Sequence, residues 1–306
     1  MKRPVAGAAL IMAMAVAAMA AMAATAIIAA LGTWTRQAAL SGDRYQAQEL
    51  VGAGTDLARA VLFDDLRATG RIDHLGEPWA LRLPPMPVEG GELVGRIDDQ
   101  QGLFNLNNLV VGGKLDVVQY ARLQRLLSIL GLSPGLAGGL VDWIDADHQP
   151  QPDGGAEDDY YLTLTPAYRA ANQPLVDLDE LALVRGFDTA VRARLTPFVT
   201  ALPAPSALNV NTAPPEVLAA VVDGLSLDSA RSLALQRASA PFRDSADFRE
   251  QLAAVADVPA RDIRVDSSYF VVVMRVNYGD AQARGRALLR RADADSWPDI
   301  VWRRYR

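Results

Sequence analysis

Between Pro4 and Thr35 the chain carries no charged residue, and Ala8 to Leu31 is almost wholly Ala, Met, Ile, Leu and Val. Such a run has few fates, because about 20 apolar residues at helical rise cross the hydrocarbon core of a bilayer. It predicts one transmembrane helix over 8–31, and no second run of the kind follows. Lys2 and Arg3 stand just ahead of it, so the positive-inside bias puts the N-terminus in the cytoplasm and everything after Arg36 across the membrane. A cleaved secretory signal fits less well. Its apolar stretch would be about 7 to 15 residues long, whereas this one continues past the Ala-x-Ala triplet at Ala21 to Ala23. A plain membrane anchor fits the same residues.

So does a third reading. Met1-Lys-Arg-Pro-Val-Ala-Gly7 is a short basic leader ending in Gly directly before the apolar run. It resembles the leader of type IV pilin-like precursors, which a dedicated peptidase removes after that Gly. The helical pattern then outlasts the membrane: Leu40, Tyr45, Leu50, Val51, Leu57, Val61, Leu62 and Leu66 recur mostly at threes and fours. One long helix over 8–69 is expected, half in lipid and half packed on a body. A bend is expected at Gly52 and Gly54, since glycine costs roughly 1 kcal/mol relative to Ala inside a helix.

After Gly70 the period changes to two. Trp79 to Leu83 and Glu92 to Asp98 read as strands joined by a Pro/Gly-rich turn, and Tyr269 to Tyr278, Ala287 to Leu289 and Asp299 to Trp302 read as strands near the C-terminus. The residues between them are mainly helical, beginning with Leu115 to Leu130. The expectation is an α+β fold: a long N-terminal helix plus antiparallel sheet, with a large inserted helical domain at 104–205. The framework takes 70–103 and 206–306, the latter with accessory helices.

The helical part contains an echo. Leu103-Phe-Asn-Leu-Asn107 returns as Leu208-Asn-Val-Asn211, Gly131-Leu-Ser-Pro-Gly-Leu-Ala137 as Gly224-Leu-Ser-Leu-Asp-Ser-Ala230, and Pro174-Leu-Val-Asp-Leu-Asp-Glu180 as Pro241-Phe-Arg-Asp-Ser-Ala-Asp-Phe-Arg-Glu250. Each unit reads as helix, Gly turn, Ser N-cap, helix. Such units resemble helix-hairpin-helix modules, which makes a membrane-anchored DNA-binding protein the alternative reading. Composition opposes it. With 30 Lys+Arg against 36 Asp+Glu the formal net charge is -6, and phosphate neutralisation needs a surplus of cations. The turns read Gly-Leu-Ser rather than Gly-apolar-Gly, with Asp223 and Asp228 beside the second. Packing units are the expectation, and no nucleic-acid partner.

The most chemically distinctive stretch runs from Val141 to Tyr161. It holds Asp142, Asp145, Asp147, Asp153, Glu157, Asp158 and Asp159 with no Lys or Arg among them. Uncompensated, these carboxylates raise one another's pKa. A hard divalent cation resolves that, and oxygen ligands on a Pro/Gly-rich loop suit Ca²⁺ better than the stricter octahedron of Mg²⁺. A solvated acidic loop fits the composition equally. The loop is not an EF-hand: counting from Asp145, the sixth position is Pro150 where Gly is required and the twelfth is Ala156 where Glu is required. With zero cysteines there is no thiolate chemistry, and the two histidines, His74 and His148, lie far apart in the chain. Nor is there a Gly-x-Ser-x-Gly elbow, a Walker A loop or an HExxH motif. No enzyme is expected.

Together these features resemble the type II secretion system protein K family, the large minor pseudopilins. The resemblance rests on Gly7 before an apolar helix, on Ile97-Asp-Asp-Gln-Gln-Gly-Leu-Phe-Asn-Leu-Asn-Asn-Leu109, on Leu140-Val-Asp-Trp-Ile-Asp-Ala-Asp147, on Gly155-Ala-Glu-Asp-Asp-Tyr-Tyr161 and on Leu208-Asn-Val-Asn-Thr-Ala213, in that order. It implies a pilin-like core, prepilin peptidase cleavage between Gly7 and Ala8 with methylation of the new N-terminus, and a place with other minor pseudopilins at the periplasmic tip of a pseudopilus in the bacterial inner membrane. It also implies structural calcium at the acidic loop, with Asp145, Asp147, Glu157 and Asp158 as expected ligands, and Asp142 and Asp159 behind them. Major pseudopilins carry Glu at mature position five. Here Met12 stands there, so this subunit cannot neutralise the terminal amine of a neighbour above it, which suits the end of a fibre.

Overall fold

The computed structural model describes residues 6–82, 84–252 and 256–305; most of the basic leader lies outside them. One helix, α1 (Ala6–Thr69), runs unbroken through both the apolar run and the amphipathic stretch. Its most apolar window has none of its residues buried against the rest of the chain, as a membrane-spanning half requires. Gly52 and Gly54 do not break it.

The second half of α1 lies on a five-stranded antiparallel sheet of order β1-β2-β9-β10-β11. These strands are β1 (Met86–Val88), β2 (Gly91–Asp99), β9 (Tyr269–Tyr278), β10 (Ala281–Arg290) and β11 (Asp299–Tyr305). The helix face against the sheet is Ala47, Val51, Ala58 and Leu62, all buried, while Tyr45 and Leu57 are 61% and 51% exposed. Glycine on one surface meets bulk on the other: a Cβ on Gly54 of the helix would stand 3.2 Å from Met274 Sδ. Gly95, Met274 and Gly285 form one row across three strands, and a Cβ on Gly285 would stand 2.2 Å from Val51 Cγ1. The expected strand at Trp79 to Leu83 is corrected: Pro78–Ala80 is a 3₁₀ turn. Pro78 presets its first residue, and the Trp79 indole donates to Glu77 at 2.8 Å while its ring meets Phe270 edge-on. The hairpin partner of β2 is instead the short β1.

Between β2 and β9 lies the helical block. Its elements are β3 (Phe104–Asn105), β4 (Val110–Val111), β5 (Lys114–Leu115), α2 (Val117–Ile129), α3 (Leu136–Ile144), α4 (Asp158–Tyr161), α5 (Thr189–Leu195), β6 (Val199–Thr200), β7 (Leu208–Asn209), α6 (Pro215–Val221), α7 (Leu227–Ser239), α8 (Ser245–Glu250) and β8 (Ile263–Arg264). The sequence echo is structural. β3 pairs in parallel with β6, and β7 in parallel with β8. In both copies the first Asn of the Asn-x-Asn pair accepts the backbone N–H of the second, at 3.2 Å in Asn105–Asn107 and 2.9 Å in Asn209–Asn211. The hairpin turns pass through Gly131 (φ 63°) and Gly224 (φ 73°), which only glycine adopts at no cost. Ser226 caps α7 as expected, whereas the expected Ser cap is corrected in the first copy, where Gly135 precedes α3 and makes no side-chain cap.

One hydrophobic cluster runs from Phe104 to Val265 and takes in both copies. The division expected at 205/206 therefore needs correction: α6, α7 and α8 pack with the insert and not with the sheet, because the two copies bury their apolar faces against each other.

The far end of α1, the sheet and the second copy are tied by a buried polar network. Arg291 donates to Asp65 at 3.0 Å and to Asp73, and its guanidinium stacks over Phe270 at 4.8 Å. Asp99 accepts from Ser267 Oγ at 2.7 Å, Asn209 Nδ2 at 3.2 Å, Gln101 N at 2.8 Å and Thr212 Oγ1 at 2.5 Å.

Candidate metal centre

Helix α3, Leu-Ala-Gly-Gly-Leu-Val-Asp-Trp-Ile, is apolar enough to be buried along most of its length, yet Asp142 sits fully buried within it. A carboxylate there needs donors, and the following loop supplies them. The N–H of Ala156 donates to Asp142 at 2.7 Å and that of Gln151 at 3.1 Å. Asp142 thus folds the loop back onto its own helix. Burial pushes its carboxyl up from the ordinary value, and these two N–H groups oppose the shift. The close approach requires Gly155, where a Cβ would stand 2.4 Å from both Asp142 Oδ2 and Gln151 N. The Arg185 guanidinium donates to the Gly155 carbonyl at 2.9 Å.

Helix α3 ends at Asp145, whose backbone turns to extended geometry, and Glu157 holds the residue before α4. Closing the loop on Asp142 therefore brings Asp145, Asp147 and Glu157 together, with an oxygen from each within 4.8 Å of the others. Asp145 and Glu157 are each only 5% exposed. Asp145 Oδ1 and both Glu157 oxygens are buried without a hydrogen-bond donor. Burial first, and the neighbouring carboxylates second, push Glu157 up to about 7 and Asp145 up to about 6. Asp147 is exposed and accepts the Gln149 N–H at 2.8 Å, so the orphaned buried oxygens belong to Asp145 and Glu157. An unpaired buried charge costs several kcal/mol, and a divalent ion bound by these two with Asp147 answers it.

The other expected ligands stand apart from this group. Asp142 is occupied with the loop backbone. Asp158 accepts the N–H of Ala170 at 3.1 Å and faces Arg169 at 3.5 Å, and Asp159 is exposed. One buried polar atom beside the loop had no signal in the sequence. Asn172 takes a left-handed backbone (φ 48°), donates its N–H to the Trp143 carbonyl at 3.0 Å and leaves Oδ1 buried without a partner. Its Nδ2 lies 3.3 Å from His148 Nδ1, which ties the lone histidine of the loop to Asn172. Beneath the loop Trp143, Tyr161 and Tyr168 pack ring against ring.

A second carboxylate group, Asp65, Asp73 and Glu77, is equally close-set and fully buried. There the Arg291 guanidinium already pairs with Asp65 and Asp73, and the Trp79 indole donates to Glu77, so part of the charge is answered from within the chain. Of the processing residues, Gly7 and Ala8 both lie within α1.

Two family models described as Type II secretion system (T2SS), protein K, match residues 102–204 and 208–268, one on each copy of the repeated unit. The chain is 38% identical over 291 residues to the type II secretion system protein K of Pseudomonas aeruginosa, covering 92% of this chain and 87% of that one. It is 34% identical over 315 residues to the protein K of Klebsiella pneumoniae, covering 98% and 96%. Its fold is similar to a chain in the crystal structure of the GspK-GspI-GspJ complex from the enterotoxigenic Escherichia coli type 2 secretion system, with a TM-score of 0.76 and 27% identity over 87% of this chain and 98% of that one. On this similarity of sequence, spanning both repeats and the anchor helix, the chain belongs to the type II secretion system protein K family.

Proposed function

We propose that this protein is a non-enzymatic minor pseudopilin, anchored in the inner membrane with its N-terminus cytoplasmic and its body periplasmic, and assembled with other minor pseudopilins at the tip of a secretion pseudopilus. The observation that carries this reading is α1: bare over 8–31, packed on a sheet from Ala47 to Leu62. A bare apolar half needs lipid or neighbouring helices, and the packed half holds the body on the same rod. The helical block joins the sheet where β2 ends at Asp99 and β9 begins at Tyr269, level with the far end of α1. Bulk there blocks a subunit stacked above, in keeping with the missing carboxylate at Met12. The solved relative, in complex with two other proteins of its secretion system, supports heteromeric assembly.

Prepilin peptidase would cut between Gly7 and Ala8. In cells with an active peptidase, mass spectrometry is expected to find Ala8 as a methylated N-terminus, and the mature chain to co-purify with the other minor pseudopilins. An intact leader, or a chain that purifies alone, overturns the reading.

The acidic loop is read as a structural calcium site held by Asp145, Asp147 and Glu157. The orphaned buried oxygens of Asp145 and Glu157 support it. Asp142 and Asp158 act on it by fixing the loop backbone, at Ala156 and Ala170 respectively. The ion would join the end of α3 to the start of α4. A chelator is expected to lower the melting temperature, and an unchanged melt sinks the assignment.

A further inference from the structure

Helix α1 covers one face of the sheet and leaves the other partly open. On the open face Arg82, Arg96, Arg275, Arg284, Arg286 and Arg304 surround a hollow of about 600 Å³, which a single carboxylate, Asp179, also lines. Strand register explains the concentration. Arg275 and Arg284 are directly opposed on β9 and β10, and Arg286 is opposed to Arg304 on β11. Alternate residues of one strand repeat on a face at about 6.8 Å, so Arg284 and Arg286 stand one repeat apart. Like charges in direct cross-strand opposition destabilise a sheet, and this sheet keeps such a pair exposed in a chain whose net charge is -6.

Some of these cations are answered within the chain: Arg96 by Asp98 at 2.7 Å, Arg304 by Asp177 at 3.0 Å. Arg284 reaches only the amide oxygen of Gln282. Arg82, Arg275 and Arg286 have no ion pair or hydrogen bond among the described residues. Val94, Val273 and half-buried Trp302 lie between the guanidinium groups, giving the hollow an apolar floor.

We propose that this face docks a carboxylate-rich segment of a protein partner, with Arg275, Arg284 and Arg286 as its anchors. Guanidinium groups bind carboxylates bidentately, and the apolar floor takes the aliphatic stems between them. An anionic bilayer suits the face poorly. Gly285 is level with Val51, which lies 20 residues beyond Leu31, about 30 Å along the helix, whereas charge is screened within about 8 Å at physiological salt. A nucleic acid suits it less well than a short acidic segment, because beyond these six arginines a continuous phosphate backbone would run over a chain of net charge -6. The proposal rests on the sheet face alone and is independent of the metal and tip readings.

The test is calorimetric titration of the full chain in zwitterionic detergent with four probes: an oligo-glutamate peptide, an oligo-glutamine peptide of equal length, single-stranded DNA of equal charge, and phosphatidylglycerol-containing vesicles. The glutamate peptide is expected to bind and the glutamine peptide not to. The double variant Arg275→Gln, Arg286→Gln should weaken binding at least about tenfold, or 1.4 kcal/mol, with an unchanged melt. Arg243→Gln with Arg249→Gln, on the helical block, should change nothing. If the first double variant melts early, Arg284→Gln is read in its place. No binding of the glutamate peptide, equal affinity in the variant, or preference for DNA or vesicles overturns the proposal.

Discussion

Asn107 and Asn211 occupy equivalent places in the two copies of one fold unit, and each clasps a buried backbone residue by both its N–H and its carbonyl. Asn107 holds Leu175 at 2.8 and 2.9 Å, and Asn211 holds Phe242 at 2.9 Å on both sides. Replacing Asn211 by Ala strands two buried backbone groups, and replacing Asn107 strands three because it also donates to the Leu202 carbonyl at 2.8 Å, at about 1–3 kcal/mol each. Asn107→Ala and Asn211→Ala are each expected to lose several kcal/mol in denaturant melts. A loss within error of zero for either would refute the clasp.

Calcium binds only the folded loop in this reading, so it stabilises by mass action, about 2.7 kcal/mol at a hundredfold excess over Kd. Adding a chelator should lower the melting temperature by several degrees. Asp145→Ala combined with Asp147→Ala should melt like the chelated parent and ignore added calcium.

Glu157→Gln separates the ion from the carboxylate. Without metal, the parent buries a carboxylate that lacks a donor, and the amide removes that charge. The variant is therefore expected to be more stable than the parent in chelator and less stable than it in calcium. Parallel rather than crossing melting temperatures would contradict the assignment.

Arg291 offers one cation to two carboxylates, and burial pushes Asp73 up to about 7 and Asp65 up to about 6 from 3.8. A carboxyl raised on folding binds more protons in the native than in the unfolded state between those values. Its stabilising contribution is complete below about 3.8 and is lost as pH rises to about 7. In saturating calcium, stability should fall from pH 5 to pH 7 by up to roughly 1.4 kcal/mol per pH unit per group. Asp65→Asn should flatten the decline, and an identical slope would assign it elsewhere.

Much of this architecture is legible in the residues. The bare run at 8–31 and the β-branched Tyr269 to Tyr278 emerge as expected, because period and composition decide them locally. The helix face does not, since Gly54 is the helix residue that faces the sheet's Met274 and Leu93, which no local pattern reveals. The Asn-x-Asn echo was visible, but its partners Leu175 and Phe242 lie 68 and 31 residues away. At the acidic loop, composition marked the carboxylates without sorting them. Asp142 and Asp145 differ by three positions, and only the fold shows that one faces the loop's N–H groups and the other faces its fellow acids. The left-handed turn at Asn172, which sets its amide beside His148, is not announced by its neighbours.

Because α1 is a single helix from the lipid to Asp65, and Arg291 bolts its far end to the sheet, the azimuth of the body about the helix axis is set by a residue count. Each residue turns a helix by about 100° and lifts it by about 1.5 Å. One residue added near Thr35 would swing the arginine face through more than a quarter circle while barely raising it, whereas seven would return it almost to its starting bearing. The anchor is thus a keyed shaft, which fixes the direction in which the body faces as well as its height.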